Sequence, residues 1–250
     1  MRALVTGASS GIGKEISYEL AKRGIDLCLV ARRYHRLLEI KNDIETKFGV
    51  NVEVYEKDLS KEDDVYSLCD ETGKVDILVN NAGFGKIGNF TEASLEDELK
   101  LIDVNVKALH ILTKKYIEKM GSEGYVLNAA SIAAFMPGGP LLSSYYASKA
   151  YVLSLSQSIN EELKCQGKNI SVCTLCPGPV DTEFNSIAGV KFNLSSLSAK
   201  KVACVAIKKM FKRKRTIIPG FTIKFSAFAA RLIPTSIMLK ITHKMQKKKV

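Results

Sequence analysis

At 250 residues, 46% hydrophobic and 25% charged, the chain has the composition of an ordinary globular protein and the length for one large domain with a substantial core. Its six cysteines (28, 69, 165, 173, 176 and 204) are scattered, which excludes a disulfide-built scaffold and suits a reducing cytosol. The net charge of +11 is unevenly spread: residues 1–190 hold 21 Lys and Arg against 26 Asp and Glu, whereas residues 191–250 hold 16 Lys and Arg and no acid, so the last quarter calls for an anionic partner.

The opening "MRALVTG" runs straight into a strand-like segment, and no signal peptide is expected. Apolar runs follow in order: "RALVT" (2–6), "DLCLV" (26–30), "VEVY" (52–55), "DILVN" (76–80), "YVLNAAS" (125–131) and "ISVCTLC" (170–176). Helix-like stretches separate them, and "RTIIP" near residue 217 fits a seventh strand. Strands alternating with helices imply βαβ units and a parallel sheet, and continuous apolar runs imply strands covered on both faces. No internal repeat or linker marks a second domain. The last thirty residues read as short helices interrupted at Pro219, Gly220 and Pro234, and "FSAFAARLIPTSIML", broken by Arg231 and Pro234, is too short to span a bilayer.

After the first strand comes "TGASSGIG", Thr6 to Gly13, opening a helix. Gly7, Gly11 and Gly13 let the backbone turn tightly and approach a pyrophosphate, which then sits on the helix N-terminus. Ser9, Ser10 and Ile12 share that turn. At the end of the second strand an NAD site would place an acid against the ribose 2′-hydroxyl. The chain instead reads "LVARRYHRL", and Arg32 and Arg33 suit the 2′-phosphate of NADP(H).

In "SSYYASKAY" three tyrosines compete for attention. Only Tyr145 has a lysine, Lys149, four residues on and therefore on the same helix face; Tyr146 and Tyr151 have Ala150 and Leu155 there. A phenol of pKa ~10 is a poor acid–base catalyst at neutral pH unless a fixed cation stabilises its anion. Lys149 provides that cation. Tyr145 is thus the candidate acid, and Tyr146 reads as a packing residue.

Together with "NNAG" (80–83), Asn105 in "DVNVKAL", Ser131 in "NAASIAA" and "PGPVDT" (177–182), these motifs resemble the short-chain dehydrogenase/reductase family over residues 2 to about 182. The resemblance implies a single doubly wound Rossmann-type α/β domain with about seven parallel strands and helices on both faces. Residues 1–190 would form the dinucleotide-binding and catalytic core, and 191–250 a basic helical lid of the same domain. It implies that Asp58 lies by the adenine, that Asn80, Ala82 and Gly83 line the cofactor cleft, and that Lys149 also binds the nicotinamide ribose. Asn105 would hold a relay water behind it, and Ser131 would hydrogen-bond the substrate oxygen. Thr182 would bind the carboxamide, with Pro177, Gly178 and Val180 against the ring.

The activity implied is NADPH-dependent reduction of a carbonyl, and the apolar segment between Ser131 and Tyr145 (Phe135, Met136, Leu141, Leu142) and "EFNSIAGVKFNL" after Thr182 favour a 3-oxoacyl group or other lipophilic ketone. A ketosteroid or small carbonyl compound is the second choice, and an NADP-binding sensor or membrane-surface protein without turnover is the alternative in another class. Cys173 and Cys176 mimic a redox or zinc pair, but on a strand they face opposite sides, and no second ligand pair exists, so no metal is expected. For the tail, residues 208–250, three partners compete: an anionic membrane surface first, an acidic acyl carrier next, and nucleic acid last, since no aromatic-interleaved platform supports it. A solvated, solubilising lysine face is the plain reading. The expectation is a cytoplasmic protein, peripheral on the inner face of a membrane if the tail binds lipid, and a homodimer or homotetramer through helices around 95–120 and 145–166.

Overall fold

Period-two alternation in the strands sorts their side chains into two separate cores. In β1 (Arg2–Thr6), Ala3 and Val5 enter one core and Leu4 the other; in β2 (Asp26–Ala31), Leu27 and Leu29 oppose Cys28 and Val30. The structure is a computed structural model that describes residues 1–189, 197–230 and 232–247. The expectations resting on Val190 to Leu194, on Arg231 and on Lys248 to Val250 lie outside the described residues.

The chain continues through α1 (Gly11–Ala21), α2 (Tyr34–Phe48), β3 (Val52–Glu56), α3 (Glu62–Thr72), β4 (Ile77–Asn80) and α4 (Leu95–Ile102). A π-helical turn, Asp103–Ala108, leads into α5 (Leu109–Met120), then β5 (Glu123–Ala129), α6 (Ser143–Cys165) and β6 (Asn169–Leu175). Short elements follow: β7 (Val180–Asp181), α7 (Phe184–Ile187), β8 (Leu197–Ser198), α8 (Ala199–Met210), β9 (Thr216–Ile217), α9 (Phe221–Ala229) and α10 (Thr235–Lys247).

The main sheet is parallel with seven strands in the order β3-β2-β1-β4-β5-β6-β9. Helices α1, α2 and α8 cover one face through Ile16, Leu20, Leu37, Ile44, Val202 and Ile207. Helices α3, α5 and α6 cover the other through Leu68, Leu112, Tyr116 and Leu163. Cys173 belongs to the first core, while Cys176 joins a third cluster with Val152 and Leu153, so the two thiols face apart as the strand period requires. No metal-holding cluster occurs among the described residues.

The strand order reverses at β1, which pairs with β2 on one side and β4 on the other. A crevice outside the carboxyl ends of β1 and β4 is where this topology leaves room for a ligand. Both the glycine-rich turn and "NNAG" emerge there.

Candidate active site

A cavity of about 710 Å³ opens along the carboxyl edge of the sheet. Of the residues expected to hold the dinucleotide or carry the chemistry, all but Gly13, Asn80 and Asn105 line it. At its floor, Gly7 adopts φ +65°, and a side chain there would meet Asn81 Nδ2 at 2.9 Å. Asn81 braces the turn by donating to the carbonyls of Thr6 (3.1 Å) and Gly7 (3.3 Å). Gly13 does not line the cavity but makes its wall thin, because a Cβ would fall 2.3 Å from the Gly7 carbonyl and 2.5 Å from Asn81 Nδ2. Gly13→Ala is therefore expected to destabilise the fold by about 1–3 kcal/mol, or roughly 2–10 °C in Tm, and to weaken dinucleotide binding in a fluorescence titration.

One end of the cavity is cationic. Arg33 Nη2 donates to Ser9 Oγ and Ser10 Oγ, both at 2.9 Å, so the guanidinium lies across the phosphate-binding turn. Its Nη1 pairs with Glu183 at 2.7 Å, and Arg36 pairs with the other oxygen of the same carboxylate. The two guanidiniums, Arg33 first, hold the Glu183 carboxyl down at about 2. Asp58 lines the same end, and although burial opposes its charge, the backbone N–H and hydroxyl of Ser60 and the field of Arg32 keep its pKa low.

The other end holds the reactive groups. Tyr145 stands in the first turn of α6, where the helix dipole adds positive potential. Burial pushes its phenol up to about 12, with the Ser131 hydroxyl working against the rise and Tyr146 and Cys176 adding to it. One turn on, Lys149 is buried with Nζ 5.8 Å from the Tyr145 ring centre and donates to the Ala129 carbonyl at 2.9 Å. Burial draws its pKa down to about 8, although the Cys176 thiol opposes this. Ser131 follows β5 and caps a short 3₁₀ turn, its Oγ accepting from Ala133 N at 3.2 Å.

Asn105, fully buried in the π-helical turn, is clamped on both sides of Phe84: Oδ1 accepts from its N–H at 3.1 Å and Nδ2 donates to its carbonyl at 2.9 Å. A side chain on Gly83 would strike Asn105 Oδ1 at 2.8 Å and Lys149 Nζ at 3.2 Å, so this glycine lets the two groups converge. An extra residue per turn in a helix that delivers such a group is a recurrent feature of functional sites.

Two sequence expectations need correction. Asn80 does not line the cleft; it is buried beneath it, donating to Thr113 Oγ1 (3.0 Å) and Asn128 Oδ1 (2.9 Å) in a chain that Asn128 extends to Ser156. The last residue of β4 points into the helix layer, so its successor Asn81 takes the place in the cleft. Of the four apolar residues singled out between Ser131 and Tyr145, only Leu142 lines the main cavity; Phe135 packs with Ala130, Val152 and Leu153, and Leu141 lines a smaller neighbouring recess. Asn81, Glu183 and Gln246 are among the polar lining residues to which the sequence reading gave no role. Asn81 was signalled by the doubled asparagine. Gln246 had no local signal, because it arrives from 100 residues away to donate to the Tyr146 hydroxyl at 2.6 Å.

A doubly wound sheet with a glycine-rich turn at its switch point and a tyrosine one helical turn from a buried lysine, beside a serine, defines a dinucleotide-dependent oxidoreductase. The short chain dehydrogenase family model matches residues 1–189. The chain is 36% identical over 226 residues to the very-long-chain 3-oxoacyl-CoA reductase of Rattus norvegicus, covering 86% of this chain and 70% of that one. Among solved structures, a short-chain dehydrogenase from Sphingobium yanoikuyae in complex with NADPH superposes with a TM-score of 0.83 at 31% identity, covering 91% of this chain and 92% of that one. A family member from Burkholderia phymatum in complex with NAD gives the same TM-score at 25% identity, with 91% of both chains covered. The chain belongs to the short-chain dehydrogenase family. It is an oxidoreductase that acts between CH–OH and C=O with a nicotinamide cofactor.

Proposed function

We propose that the protein is an NADPH-dependent reductase of lipophilic ketones, with a 3-oxoacyl thioester as the preferred substrate class. The observation that carries the reading is Tyr145 paired with the buried Lys149, facing a cavity whose far end holds Arg33 on Ser9 and Ser10. Bound in this cavity, a reduced nicotinamide supplies the hydride. Tyr145, neutral at physiological pH, donates the proton to the carbonyl oxygen as charge develops there, and the Ser131 hydroxyl orients and stabilises that oxygen. Lys149 meets the phenolate left behind with a charge already in place, and Asn105 supports the proton's resupply. A sensor without turnover would have no use for the Tyr145 phenol one helical turn from that lysine.

Two features support the substrate class. Phe84, Leu142, Tyr146, Phe184 and Ala188 give the catalytic end an apolar lining, and the rat relative acts on very-long-chain 3-oxoacyl-CoA. Activity should climb with acyl length by up to about fourfold in kcat/KM per buried methylene, and a flat response across a ladder of 3-oxoacyl thioesters would exclude this class.

The cofactor preference rests on Arg33 and on the lack of an acid at the end of β2. Arg33→Ala is expected to raise the Kd for NADPH by roughly 10–150-fold while leaving that for NADH nearly unchanged. Equal losses for both dinucleotides in parallel titrations would remove the 2′-phosphate role. Exposed Leu95, Leu99, Ile102 and Tyr151 on α4 to α6 support a homodimer or homotetramer through that face. The basic tail supports a cytoplasmic protein with an anionic membrane surface as partner; among the described residues, no helix is long and apolar enough to cross a membrane.

A further inference from the structure

The last two helices are fastened to the rim of the catalytic cavity by their inner faces. Ile223 of α9 lies so close to Gly178 that a Cβ there would meet it at 2.7 Å. Leu239 of α10 approaches Gly138 within 3.0 Å of such a Cβ, and Gln246 holds the Tyr146 hydroxyl. Ala227 and Ala230, then Met238, Thr242 and Gln246, complete the buried side.

Their outer faces carry apolar side chains in helical register. On α9, Phe221, Phe225 and Phe228 are 86%, 67% and 65% exposed, and Leu232 just beyond is 72% exposed. The spacing i, i+4, i+7 puts the three rings on one stripe, opposite Ile223 and Ala227. On α10, Ile237, Ile241 and Met245 repeat every four residues, all exposed. Lys240, Lys244 and Lys247 fall on the adjacent stripe, and Lys224 flanks the phenylalanines. Scattered exposed apolar residues need no explanation, but an ordered stripe of rings beside lysines marks an interaction surface.

We propose that α9 and α10 dock the enzyme on an anionic bilayer surface, with the phenylalanines in the headgroup–acyl boundary and the lysines at the phosphates. Docking would bring the rim of the cavity to the lipid, from which the substrate enters. Charge selects this occupant. Residues 191–250 carry 16 Lys and Arg and no acid, so a two-fold contact with a second copy would set lysine against lysine with no carboxylate between them. Anionic headgroups supply the missing charge, and each lysine near such a surface strengthens attachment that aromatic insertion makes selective for a bilayer. The docking stands apart from the reading of the reaction, whereas the delivery route rests on the lipophilic-substrate reading.

The test is sedimentation of the full chain with vesicles of phosphatidylglycerol and phosphatidylcholine, against vesicles of phosphatidylcholine alone. The wild type is expected to partition at least ~10-fold more strongly to the anionic vesicles and to be released by high salt. The combined variant Phe221→Ser, Phe225→Ser, Phe228→Ser should lose that binding while keeping the wild-type Tm and far-UV circular dichroism spectrum, which shows that it folds. The chain contains no tryptophan, so Phe225→Trp gives a single reporter whose emission should shift to the blue on anionic vesicles. Three results would overturn the proposal. They are a wild type left in the supernatant at low salt, a triple variant that binds as well as the wild type, and a lipid-free dimer that only the triple variant dissociates, which would make a second copy the occupant. Vesicle binding is read without turnover, so failure of the reductase reading would leave this result intact.

Discussion

Tyr145→Phe is expected to lower the reductive kcat by about 10³–10⁴-fold while leaving NADPH affinity and Tm close to the wild type. The substitution removes one oxygen from a ring that is otherwise held by packing, with Phe184 at 5.6 Å and Tyr146 at 6.2 Å between ring centres. Nothing in the dinucleotide-binding turn depends on that hydroxyl. The adjacent residue gives the control. Tyr146→Phe breaks the bond to Gln246 and should cost only a few-fold in rate, because no cation stands one turn behind it. Comparable losses in the two variants would mean that the pair acts by shaping the pocket and that neither phenol delivers the proton. Single-turnover kinetics with each variant distinguish the cases.

Lys149→Met should separate activity from stability. The loss in kcat is expected to be about 10²–10⁴-fold, since the phenolate formed as Tyr145 gives up its proton would no longer meet a charge. The cofactor-free protein should nonetheless become more stable. Burial holds the Lys149 pKa at about 8 in the fold, while the unfolded chain keeps the proton until the ordinary lysine value of ~10.4. Between these two values the unfolded state binds more protons, so stability rises with pH across that window, and at neutral pH the full penalty is present. Removing the charge recovers it, less the hydrogen bond to Ala129, for a net gain of roughly 1–2 kcal/mol or a few degrees in Tm. The same titration shapes the rate. Reductive kcat/KM should be flat below about pH 8 and fall above it as Lys149 sheds its charge, with Tyr145 still protonated throughout. A variant that loses stability, or a profile that rises above pH 8, would contradict the role given to Lys149.

Much of this was legible in the sequence because the physics was local. Runs such as "RALVT" and "DLCLV" are apolar at consecutive positions because both faces of the strand are covered, and each became a strand of the parallel sheet. The Tyr145–Lys149 offset is a helical turn, and a helix of 23 residues realises it. What stayed hidden depended on distant partners. Neither neighbour of the doubled asparagine says which one faces the cleft; that is set by Thr113 and Asn128, which take Asn80 into the helix layer. Glu183 looks like an ordinary acid until Arg33 and Arg36, 150 and 147 residues away, converge on it. The π-helical turn at Asn105 has no compositional mark, and Gln246 reaches the cavity only because α10 folds back across its rim.

The most direct measurement is the fate of the hydride. With NADPH deuterated at the transferable position and a long-chain 3-oxoacyl thioester, the product should be the 3-hydroxyacyl thioester with one deuterium on the carbinol carbon, formed at a rate that Tyr145→Phe suppresses. NADPH that binds tightly yet leaves the thioester unreduced, or product lacking the label, would contradict it.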